Sequence, residues 1–109
     1  MKVRLTELFL FCYHSLNDEY RKKAHTLSSH LLDFFKVYKI EDCQKIEFQR
    51  LYVDKVAITV LITRSSSETC LTITSDDIPF LIDKAIIHSK DPEFTKHLRR
   101  KKLAIELDV

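Results

Sequence analysis

Residues 55–64 read Lys55-Val56-Ala57-Ile58-Thr59-Val60-Leu61-Ile62-Thr63-Arg64. In an extended chain Val56, Ile58, Val60 and Ile62 fall on one side, and Ala57, Thr59, Leu61 and Thr63 on the other. A period of two over β-branched residues predicts a strand. The second side is only half polar, which predicts a place inside a sheet rather than at its rim.

Two further strands flank this one. Residues 45–53 alternate through Ile46 and Phe48, and the phase slips near Arg50. Residues 69–75 set Leu71 and Ile73 against Cys70, Thr72 and Thr74. The short connections predict antiparallel hairpins. Asp54-Lys55 would be a poor two-residue turn, because lysine disfavours positive φ, so a bulge or a longer turn is expected there. Ser65-Ser66-Ser67-Glu68 is roomier.

Before the strands, Leu16, Tyr20, Ala24, Leu27, Leu31, Phe34, Phe35 and Tyr38 recur at three- or four-residue steps. That stripe predicts an amphipathic helix over 16–38, capped by Ser15, Asn17 or Asp18. After the strands, Ile78, Leu81, Ile82, Ala85 and Ile86 predict a helix over 78–89, with Ser75 or Asp77 as its cap and Pro79 in its first turn. Asp91-Pro92-Glu93 supplies an N-cap, a proline at N1 and an acid in the first turn of another helix.

Both ends of the chain read as strands. Val3, Leu5, Phe9, Phe11 and Tyr13 alternate, although Leu5, Leu8, Phe9, Cys12 and Leu16 also fit a helical stripe. Leu103, Ile105, Leu107 and Val109 alternate with Ala104, Glu106 and Asp108. The expected architecture is one α+β domain over residues 1–109. A mostly antiparallel sheet of three to five strands is covered by a long helix in the first half and two helices in the second. The expected order is β-α-β-β-β-α-α-β.

Composition narrows the function. The 109 residues contain no glycine, where ordinary usage of about 7% would place roughly eight. Motifs that need glycine are thereby excluded: the P-loop, the dinucleotide turn, the nucleophile elbow and the EF-hand loop. Alanine occurs four times and proline twice. All three residues use GC-rich codons, so an AT-rich genome is the simpler cause, pointing to a microbe, virus or mobile element. The longest unbroken apolar run, Leu8–Tyr13, is far short of the roughly 20 residues of a membrane span. No membrane partner and no signal peptide are expected. Cys12, Cys43 and Cys70 are widely and unevenly spaced, which suits reduced thiols in a cytoplasmic or nuclear protein that is not secreted.

No catalytic motif, metal pattern or cofactor site stands out. Cys12, His14, His25, His30, Cys43, Cys70, His88 and His97 form neither C-x-x-C nor H-x-x-x-H. The leading expectation is a small non-catalytic protein-interaction module: an assembly subunit, an inhibitor or immunity-type protein, or a viral accessory factor. Its partner would be another protein or a second copy. Leu103, Ile105, Leu107 and Val109 would form the docking strand.

The alternative is nucleic-acid binding. Residues 65–83 hold four acids and no base, and residues 84–102 hold seven bases and two acids. Lys96, Arg99, Arg100, Lys101 and Lys102 are the candidate phosphate contacts. Against this, the four successive bases splay around a helix, and no aromatic residues interleave with them. The third reading is a small enzyme using His25, His14 or the Asp76-Asp77 pair.

Overall fold

The computed structural model describes residues 2–52 and 56–107. Its elements run β1 (Lys2–Leu5), α1 (Glu7–Ser15), α2 (Asp18–Val37), β2 (Cys43–Leu51), β3 (Ala57–Arg64) and β4 (Glu68–Thr74). A 3-10 turn, Ser75–Asp77, leads into α3 (Ile78–His88), and α4 (Pro92–Leu107) follows. The fold is α+β. The sheet order is β1-β2-β3-β4, so β3 is an inner strand, as its two-sided pattern implies.

β2–β3 and β3–β4 are antiparallel, whereas β1 pairs with β2 in parallel. The sheet is therefore mixed rather than mostly antiparallel. A parallel neighbour needs a long crossover, and α1 with α2 provides it. The slip near Arg50 is a register shift between Phe48 and Arg50. The Gln49 carbonyl at that irregularity accepts the Thr6 hydroxyl at 2.8 Å. Tyr52 N–H donates to the Ala57 carbonyl at 3.0 Å across the next connection. The expectation about Asp54-Lys55 falls outside the described residues.

The core forms where α2 and α3, packed side by side, cover one face of the sheet. Leu27, Leu31 and Phe35 of α2 share a buried cluster with Ile46, Phe48, Ile58 and Val60 of the sheet and with Leu81 and Ile82 of α3. Asn17 caps α2 by accepting from Tyr20 N–H at 2.9 Å. Asp91 does the same for Glu93 N–H at 3.0 Å, and α4 begins at Pro92.

Both chain ends depart from the strand reading. β1 stops at Leu5, and Thr6 caps a helix by accepting from Phe9 N–H at 3.1 Å. The helical stripe prevails over the alternation because it buries Phe9 and Leu16 and half-buries Cys12. At the other end α4 continues through Leu107, so the expected strand 103–109 is helical over its described part. Leu98, Lys101 and Ile105, spaced by three and four residues, turn inward together, and Ile105 packs against the core. Leu103 and Leu107 face solvent. Val109 lies outside the described residues.

Without glycine, the bend between α2 and β2 falls on Asp42, which sits at φ 60°. Aspartate enters that left-handed region more readily than residues with bulkier side chains. Its carboxylate also accepts the Ser65 hydroxyl, tying the β3–β4 hairpin to the end of α2. Asp42→Ala should lower the unfolding free energy by about 1 kcal/mol. Asp42→Gly should cost less, because glycine relieves the backbone while losing the same hydrogen bond. Urea denaturation of the two variants checks the ordering.

Candidate functional site

The β3–β4 hairpin determines which backbone groups are free. Arg64 N–H donates to the Ser67 carbonyl at 2.8 Å, so residues 64 and 67 form a hydrogen-bonded pair. Such pairs alternate along an antiparallel ladder. With Ile62 opposite Thr69, Val60 opposite Leu71 and Ile58 opposite Ile73, those β4 residues direct their N–H and C=O groups to β3. Glu68, Cys70 and Thr72 direct theirs outward. Thr74 N–H also points outward, and the Asp77 carboxylate accepts it at 2.9 Å.

β4 is thus an open edge seven residues long, without proline and with Glu68 as its one charge. The opposite edge, β1, has four residues and carries Lys2 and Arg4. Proteins blunt exposed edges with short strands, lysine, proline or bulges. The β1 edge has two of these devices. β4 has none, and its register with β3 is regular throughout.

A groove of about 700 Å³ runs beside this edge. Phe34, Phe35 and Tyr38 of α2 form one wall, and Phe80, Leu81 and Lys84 of α3 form the other. Leu71 and Ile73 of β4 line it from the sheet. Phe34 stacks on Tyr38 with ring centroids 4.9 Å apart, which stiffens the α2 wall. Leu71 is 43% exposed and Phe80 60% exposed, so apolar surface continues from the groove to the strand edge.

The basic segment is dispersed. Lys101 Nζ donates to Ser29 Oγ at 2.9 Å and to the Asp33 carboxylate. Lys102 bonds Asp83 at 2.8 Å, and Lys96 lies 3.8 Å from Glu93. The Asp83 contact raises the Lys102 pKa through its hydrogen bond first and its charge second. Arg99 and Arg100 are exposed and carry no ion pair among the described residues. Lys101 therefore fastens α4 to α2, and no common face gathers all five cations. Leu103 and Leu107 share the solvent face of α4, while Ile105 turns inward.

The groups considered for catalysis are held in structural roles. Asp77 caps the chain after β4. His14 packs edge-on against Tyr13 with centroids 5.5 Å apart. Ser28 donates to the Ala24 carbonyl at 2.8 Å rather than to His25. Ser29 meets Lys101, but Lys101 is donating to Asp33 and offers no lone pair as a base, which a serine nucleophile requires. Among the described residues no group of three or more His, Cys, Asp or Glu is placed to hold a metal ion, and no helix is long and apolar enough to cross a membrane.

No protein-family model, curated protein or solved structure matches this chain. The β4 edge was not legible as a site in the sequence, because a strand's neighbours decide whether it is an edge. The one local signal is the low charge of residues 69–74.

His30, 6% exposed on the inner side of α2, leaves Nδ1 without a partner. Burial lowers its pKa below 6.5, the Lys101 charge adds to that, Asp33 opposes it, and His97 lowers it further. The unfolded chain takes up the proton first as pH falls. The neutral-His30 contribution is therefore complete above 6.5 and is lost as pH falls through the depressed folded value. Thermal midpoints should drop between about pH 7 and about pH 5, and His30→Leu should flatten that drop. Lys101→Met should cost about 1–3 kcal/mol in urea unfolding, by stranding Asp33 and Ser29 without their donor.

Proposed function

We propose that this protein is a non-catalytic interaction module that docks an extended segment of a protein partner along β4. The observation that carries the reading is the outward row of backbone groups at Glu68, Cys70 and Thr72, set beside an apolar groove. A strand added there gains main-chain hydrogen bonds from the edge. It also places alternate side chains against Leu71, Ile73 and Phe80, the usual division between affinity and specificity in strand addition. This keeps the interaction role expected from the sequence and moves it from residues 103–109 to β4. Nucleic-acid binding through Lys96–Lys102 is less favoured, because Lys101 and Lys102 already satisfy Asp33 and Asp83.

Thr72→Pro isolates the edge. Its N–H points away from β3, so the substitution removes a docking donor while leaving the internal ladder intact, and edge strands tolerate proline. The variant should keep its circular dichroism spectrum and lose partners that the wild-type protein retains in affinity isolation from its native host. A folded Thr72→Pro protein that retains the same partners would refute the role of β4.

A further inference from the structure

The docking edge is electrically polar along its length. At the hairpin end, Cys43 pairs with Arg64 and Ser65 bonds Asp42, which brings the chain after α2 alongside. Lys39 and Arg64 line the groove there. α3 runs back from the far end toward His88, whose ring lies 4.8 Å from that of Tyr38, and this brings Lys84 toward the same end. These three cations outnumber Glu41 and Glu68. At the other end of β4 stand Asp76 and Asp77, with no cation in the segment 65–83.

We propose that the segment docked on β4 is the β4 strand of a second copy of this chain, related by a two-fold axis through Leu71. The inference rests on the reading of β4 as a docking edge. An antiparallel copy sets the acidic end of each β4 against the cationic end of the other, so both ends are complementary in one arrangement. The same register pairs Cys70 with Thr72 twice. Both residues have outward backbone groups, and each pair exchanges two hydrogen bonds. Leu71 meets its own copy in a non-hydrogen-bonded position, where side chains approach most closely, and its exposed surface is covered together with Phe80. A two-fold contact needs a patch that is its own complement, and this edge provides one. The two sheets become one of eight strands, with no open β4 edge remaining.

Charge exchange tests the arrangement. Arg64→Glu sets two like-charged ends together in its own dimer, and so does Asp76→Lys. A mixed pair restores both contacts. Sedimentation should show a wild-type dimer, a monomeric Thr72→Pro protein, and self-association weakened by about tenfold or more in each charge variant. Mixing Arg64→Glu with Asp76→Lys should recover a heterodimer near wild-type strength. The proposal is overturned if the wild-type protein stays monomeric up to about 1 mM, if Thr72→Pro dimerises normally, or if the mixture is no stronger than either variant alone. A monomeric wild-type protein that still loses a host partner on Thr72→Pro would remove the second copy and leave the docking edge standing. A Thr72→Pro protein that keeps both its dimer and its partners would remove both.

Discussion

The structure depends on one apolar contact: the stripe of α2 laid on the sheet. Leu27 and Leu31 are fully buried, as are Ile46, Phe48, Ile58 and Val60 beneath the helices. Truncating one such side chain costs about 2–5 kcal/mol, a large part of a small domain's stability. The contact has a finite width. α2 and α3 cover the middle strands completely, and cover fades across β4, where Ile73 is 9% exposed and Leu71 43%. The groove is the place where the helices run out before the sheet does. The core and the candidate site are therefore products of the same packing.

The lack of glycine shapes how the elements end. A helix commonly terminates on a left-handed residue, usually glycine. Here α1, α2 and α3 instead leave through Leu16, Tyr38 and Ser89, all in extended conformation. Asp42 takes the left-handed bend between α2 and β2, and its bond to Ser65 makes that bend part of the hairpin's support. The deficit is a matter of composition, but its structural cost is concentrated at a few turns close to the docking edge.

The sequence was legible where one period dominated and the caps agreed with it. The inner strand at 57–64, the helix from Asp18 and the Asp91-Pro92 start all carried local signals that packing reinforced. It was illegible where two periods competed over a short apolar run, as at Leu5–Leu16, and packing of Phe9 decided the outcome. Around Leu103–Leu107 alternation was outweighed by contacts no window contains. Lys101 reaches Ser29 and Asp33 across 72 and 68 residues. The same long-range pairing removed Lys101 from the expected nucleic-acid face. The docking edge was the least visible feature, since it is defined by a neighbour that β4 lacks.

An interaction module needs a rigid scaffold and one unfinished boundary, and this fold has both. β1 is short and charged, the helices cover the inner face, and β4 alone combines length, regular register and low charge. Site-resolved amide exchange along β4 tests this most directly, comparing dilute with concentrated protein. In dilute solution Leu71 and Ile73 should exchange slowly through their bonds to β3, while Cys70 and Thr72 exchange fast. In concentrated solution Cys70 and Thr72 should become slow as well. Equal, fast exchange at Cys70 and Thr72 under both conditions would contradict the account.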